Sequence, residues 1–285
     1  MNVTVTGASG FIGRRLVAAL TKDAHTVRAL RRADWDTLAG EPPPDALENA
    51  DAVVHLAGEP VAQRWTAEAK RKIAASRLEG TRNLVTALST LSRRPAVLVC
   101  ASAIGIYGNR GDEVLTEASS AGTGFLADVC RDWEKQASLA EALGIRVVNL
   151  RTGIVLGADG GALAKMLPPF KAFVGGRLGS GKQWMSWIHV DDLVALIIHA
   201  IRKPVSGAVN GTAPNPVTNT AFTRELAGAL GRPALFPAPA FALKLMLGEM
   251  SEILLGSQRV LPKAAEGTGF RFAFPELAPA LRNIL

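Results

Sequence analysis

At 285 residues with 48% apolar side chains, the chain is long enough to bury a nucleotide-binding domain and a smaller partner domain, which excludes a single minimal domain. Its formal charge of +7 is scattered, with no aromatic-interleaved basic stripe, so no nucleic-acid partner is expected. Cys100 and Cys130 make neither a disulfide framework nor a metal spacing, and no apolar stretch nears the roughly 18 residues of a bilayer span; the expectation is a cytoplasmic protein with no metal, membrane partner or secretory signal.

The first stretch carries the strongest pattern. An apolar run, Val3 to Val5, meets Gly7-Ala8-Ser9-Gly10-Phe11-Ile12-Gly13 and then a helical periodicity to Leu20. Gly7 suits the sharp strand-to-helix turn, Gly10 removes a side chain where a pyrophosphate approaches the backbone, and Gly13 lets the helix lie close to the strand. The phosphates then rest on free N–H groups at the helix N-terminus, without any basic side chain. Gly7, Ser9, Gly10, Phe11, Ile12 and Gly13 are therefore the predicted cofactor-binding residues of this loop.

His25 to Leu30 reads as a second strand ending in Arg31-Arg32. An acidic residue at that point holds the ribose 2′-hydroxyl of NAD, whereas arginines accommodate a 2′-phosphate; Arg31 and Arg32 thus point to NADP, bound at least roughly tenfold tighter than NAD. Pro42-Pro43-Pro44 bars a regular central strand and leaves room only for a short third strand near Trp35. Asp51 to Gly58 is a buried-strand pattern whose end, Leu56-Ala57-Gly58, borders the cofactor. Thr66 to Leu91 reads as one long or two abutting helices, with Gly80-Thr81 interrupting. Ala96 to Ser102 and Arg146 to Arg151 are further strands, and Phe125 to Leu143 is helical.

Ser186 to His189 leads to a helix start at Asp191-Asp192, and Pro204 to Pro216 is loop and strand. The tail holds helical segments around Phe222, Phe241, Ile253 and Leu277, separated by prolines. The alternation predicts an α/β fold, a Rossmann-type doubly wound parallel sheet with a smaller, mainly helical C-terminal domain. The expected boundaries are 1–165 for the NADP-binding part, with 184–212 returning to it, and 166–285 for the substrate or partner domain.

Four landmarks in order, Thr6 to Gly13, His55 to Gly58, Ser102 to Gly108 and Ile188 to Asp192, resemble the extended short-chain dehydrogenases, the NAD(P)-dependent epimerase/dehydratase family. Gly58-Glu59-Pro60, Ser76-Arg77, Trp133-Glu134, Ser186 to His189 and Gln258 to Pro262 are similar to an atypical branch labelled as sugar-nucleotide epimerases, with a C-terminal domain of unknown function. The resemblance implies an oxidoreductase or epimerase acting through a Tyr-x-x-x-Lys pair. This chain lacks that pair. Its one tyrosine, Tyr107, falls in the earlier Tyr-Gly landmark, and alignment on Glu134 puts Leu126 and Cys130 at the two positions.

Ala103 takes the family's serine position, Arg77 its active-site asparagine, and Met185 the arginine that grips a substrate pyrophosphate. Met185 argues against a nucleotide-sugar, since a thioether offers a phosphate no charge-assisted bond. The candidate catalytic residues are Ser102, Arg77 and Glu59, with Arg77 expected to pair with Glu59 or with an acidic small-molecule substrate. The alternative reading is a non-catalytic, NADPH-gated binding or regulatory protein linked to cell or organelle division. Oligomeric state is left open.

Overall fold

Successive residues of a strand face opposite sides of its sheet, and here both sides are covered by helices. The computed structural model describes residues 1–285, beginning with β1 (Asn2–Thr6), α1 (Phe11–Lys22), β2 (Thr26–Leu30), β3 (Ala52–His55), α2 (Ala67–Thr90), β4 (Val97–Ala103), β5 (Val114–Leu115) and α3 (Phe125–Ser138). The chain continues through β6 (Arg146–Thr152), β7 (Ile154–Gly157), α4 (Gly161–Lys171), β8 (Trp184–Met185), β9 (Trp187–His189), α5 (Val190–Arg202), β10 (Gly207–Gly211), β11 (Val217–Thr218) and α6 (Asn219–Leu230). It ends with α7 (Ala240–Leu247), α8 (Glu252–Leu255), β12 (Arg259–Val260), α9 (Lys263–Gly267) and α10 (Leu277–Ile284).

Six strands form one parallel sheet in the order β10-β6-β4-β3-β1-β2. The alternation is legible within β3: Ala52 and Val54 share a core with α1 and α5, whereas Val53 shares one with α2 and α3. A third core gathers α4, α6 and α10 around Trp187 and Phe222. The architecture is thus α/β, a Rossmann-like sheet with a helical C-terminal region.

One local expectation needs correction. No strand forms near Trp35; the indole is buried on the α2 face of the sheet and donates to the Gly40 carbonyl at 2.9 Å, so the segment serves as a plug against that face. Of the two alternatives for Thr66 to Leu91 the structure has the single long helix, the 24-residue α2, which runs unbroken through Gly80. Its missing side chain lets the plug approach: a Cβ there would lie 2.7 Å from Thr37 Cβ. The helix expected from Asp191-Asp192 forms as α5, with both aspartates in its first turn and His189 as its cap, whose Nδ1 accepts from the Asp191 N–H at 3.1 Å. Asp192 instead accepts the backbone N–H groups of Ala273 and Phe274 at 2.8 and 2.9 Å, tying the tail to the sheet-bound helix.

Candidate cofactor and substrate site

The glycine loop joins β1 to α1 at the carboxyl end of the sheet. Gly7 has φ +68°, and a Cβ there would stand 2.8 Å from the backbone of both Leu56 and Ala57, so strand and loop close up only without a side chain. A Cβ on Gly13 would lie 2.2 Å from the Gly7 carbonyl oxygen. Gly10 caps α1 with no side-chain bond, which leaves the first N–H groups of the helix free for an anion. This cradle, with Ser9 exposed beside it, fits a dinucleotide pyrophosphate. Gly13→Ala forces the loop off the helix, and the expected result is at least roughly tenfold weaker dinucleotide binding in a calorimetric titration.

Phe11 and Ile12 do different work from the glycines. The Phe11 ring wedges against the turn after β7, where a Cβ on Gly157, Gly160 or Gly161 would come within 2.4–2.8 Å of it. Asp159 in that turn pairs with Arg14 at 2.7 Å and Arg15 at 2.5 Å, so the turn is clamped to the first turns of α1. Ile12 packs partly buried against the core beneath α1. Nothing in local periodicity marks the clamp; only the run of glycines at 157, 160 and 161 hints at a close neighbour.

At the end of β2, Arg31 and Arg32 are both exposed. Arg31 is fixed through its backbone N–H, which donates to Asp34 at 2.8 Å. The Arg32 guanidinium lies 3.5 Å from Glu59 and 4.0 Å from Asp36. Glu59 also accepts from the Gln63 amide at 3.3 Å. Its carboxylate is therefore turned toward the arginine end of β2, and the expected pairing of the Glu59 side chain with Arg77 does not form.

Arg77 donates from one Nη to the backbone oxygens of Glu59 and Ile73, each at 3.0 Å. Its guanidinium lies 5.1 Å from the centre of the Trp133 ring and against Gly58, where an added Cβ would sit 3.4 Å away. No carboxylate reaches it within salt-bridge distance, and burial lowers its pKa, as befits a half-buried charge with little compensation.

Ser102 takes a different partner from those of Arg77. Its hydroxyl is buried and donates to Glu134 at 2.6 Å, and Glu134 grips Arg151 with two bonds of 2.8 Å. Arg151 donates to the Tyr107 hydroxyl at 2.9 Å, which donates to Asn210 at 2.7 Å, whose amide reaches the Leu261 carbonyl. Burial works against the Arg151 charge, but the Glu134 bonds outweigh it and hold the arginine protonated. Sequence reasoning singled out Ser102 and missed Glu134 and Arg151 as its partners. A charged residue, Arg151, at the end of a strand that carries the apolar Val147, Val148 and Leu150 was the available signal.

The positions aligned with the family's acid–base pair do face the turn after β4: a Cβ on Gly105 would lie 3.3 Å from Leu126 Cβ and 4.0 Å from Cys130 Sγ. Burial pushes the Cys130 thiol up to about 11, and Tyr107, wholly buried, is also pushed up. Neither is a ready base or nucleophile near neutral pH. Met185 is 7% exposed in the third core, with its sulfur accepting from Asn219 at 3.3 Å.

Comparison with known proteins matches this arrangement. The model of the NAD dependent epimerase/dehydratase family matches residues 3–213, and a domain of unknown function, DUF1731, matches residues 238–284. The chloroplastic SDR39U1-homologue epimerase family protein of Arabidopsis thaliana is 45% identical, over 100% of this chain and 87% of its own length. The epimerase family protein YfhF of Bacillus subtilis is 38% identical, over 100% and 98%. The crystal structure of human epimerase family protein SDR39U1 with NADPH superposes with a TM-score of 0.91 at 33% identity, covering 100% of this chain and 99% of that one. With its glycine cradle, six-stranded sheet and tail all matched along their length, this chain belongs to the NAD-dependent epimerase/dehydratase family.

Proposed function

We propose that the chain binds NADP(H) across the carboxyl ends of β1 to β4 and serves as an oxidoreductase or epimerase-like enzyme on a small acidic carbonyl or alcohol substrate. The observation that carries this reading is Arg77, a half-buried guanidinium at the end of β3 with no carboxylate partner. The human relative's NADPH and the two exposed arginines after β2 support the choice of cofactor. Residues 1–165, joined by 184–212, hold the cofactor in this reading, and 166–285 form the substrate side; the pairing of β10 with β6 supports that division.

The nicotinamide supplies hydride exchange. The Gly7 to Gly13 loop holds the pyrophosphate, Arg31 and Arg32 the 2′-phosphate, and Leu56 to Gly58 the floor beside them. Arg77 binds the substrate's anionic group and stabilises negative charge on the reacting oxygen in a poorly solvated place. With Tyr107 and Cys130 both buried and hard to ionise, the proton is exchanged with water or with the substrate's own ionisable group. A nucleotide-sugar is not the substrate in this reading, because Met185 is buried and uncharged. The second reading, an NADPH-gated binding protein, is favoured by the same loss of an acid–base pair. For location, no helix is long and apolar enough to cross a membrane; the cytoplasm is our proposal.

The test follows loss of reduced-nicotinamide absorbance with a panel of small oxo- and aldehyde-acids alongside UDP-sugars. Turnover is expected with an acid and with no UDP-sugar, falling roughly tenfold to a hundredfold in Arg77→Ala while NADPH affinity stays within about twofold. Robust UDP-sugar conversion overturns the substrate reading. NADPH binding without turnover of any panel member supports the gated binder.

A further inference from the structure

Glu59 directly follows the strand end that floors the cofactor site, and its carboxylate carries a charge of the same sign as the phosphate that Arg32 is placed to receive. Its backbone is pinned on both sides: the Glu59 N–H donates to Ser76 Oγ at 2.9 Å and its carbonyl accepts from Arg77 at 3.0 Å. The side chain is 21% exposed and braced by the Gln63 amide at 3.3 Å. Arg32, by contrast, is 70% exposed on a long stem, and its nearest anions are Glu59 at 3.5 Å and Asp36 at 4.0 Å. One partner of this ion pair is fixed and the other is free to turn.

We propose that Glu59 sets the selectivity between NADP(H) and NAD(H) by acting as an internal competitor for Arg32. Without cofactor, the carboxylate draws the guanidinium toward β3. A 2′-phosphate must draw Arg32 away and then lie near a carboxylate that cannot withdraw. A ribose 2′-hydroxyl meets no such repulsion, and the carboxylate can accept its hydrogen. Glu59 thus moderates a preference that the arginines alone make steeper, and leaves a usable affinity for the dephospho cofactor. The inference rests on the reading that Arg32 receives the 2′-phosphate.

Calorimetric titration of NADPH, NADH and 2′,5′-ADP into the full chain and into Glu59→Gln and Arg32→Ala tests both points. Glutamine keeps the size of the side chain and its contact with Gln63. Glu59→Gln is expected to bind NADPH and 2′,5′-ADP about fivefold tighter, with NADH unchanged or slightly weaker, and the gain is expected to shrink as salt is raised. Weaker NADPH binding, or an equal shift for both cofactors, overturns the competition. An unchanged NADPH-to-NADH ratio in Arg32→Ala instead defeats the placement of the phosphate. A reduced ratio there, with Glu59→Gln indistinguishable from the parent, defeats the Glu59 inference alone.

Discussion

Replacing Arg151 with methionine is expected to cost about 3–5 kcal/mol of unfolding free energy, read from urea denaturation. The arginine and its partner Glu134 have side chains only 11% and 12% exposed, and the pair is held by two bonds of 2.8 Å. Removing the cation leaves a buried carboxylate whose other partner is the Ser102 hydroxyl, and it takes one donor from Tyr107. The double change Glu134→Gln with Arg151→Met removes both charges and is expected to recover much of the loss. A single-variant cost below about 1 kcal/mol sinks the claim that this pair is a buried, mutually dependent one.

Acid is expected to weaken the fold through His55. This side chain has no exposed surface, its Nδ1 lies 2.7 Å from the Thr6 hydroxyl, and burial, with the nearby Arg77 charge, lowers its pKa from 6.5 to about 4. Between those values the unfolded chain takes up a proton that the folded chain refuses. Stability is therefore complete above about pH 6.5 and is lost as the pH falls toward 4, by roughly 3 kcal/mol for this one group. His189 and His199 are also lowered by burial and act in the same direction, so the informative quantity is the difference between the parent and His55→Gln. If the two stability curves keep the same slope from pH 6.5 to 4, the assignment to His55 fails.

The fold was readable where one residue's neighbours along the chain carry the information. Ala52 to Val54 is apolar throughout because both faces of a parallel strand are covered, and Gly7 and Gly13 mark points of the loop where a Cβ would collide with backbone. The site was less readable because its charges choose partners far away in sequence. Glu59 was readable as a residue beside the cofactor, but its choice of Arg32 over Arg77 depends on the pairing of β1 with both β2 and β3. Ser102 was readable as a strand-end hydroxyl, but its direction is set by α3, where Glu134 waits. The Trp35 plug failed as a strand because the segment is used for burial against the sheet face rather than for backbone pairing.

The strand that completes the sheet, β10, comes from a part of the chain synthesised well after its neighbour β6. At ~5–20 residues per second, the stretch from Thr152 to Gly207 takes roughly three to eleven seconds to be synthesised. Throughout that interval the β6 edge, which carries the apolar Val147, Val148 and Leu150, has its outer backbone groups unpaired. Such an edge is a template for any other extended chain. The edge stays open to such pairing until Gly207–Gly211 arrives. Substitutions that slow its docking are paid in aggregated yield, even where the finished molecule is as stable as before.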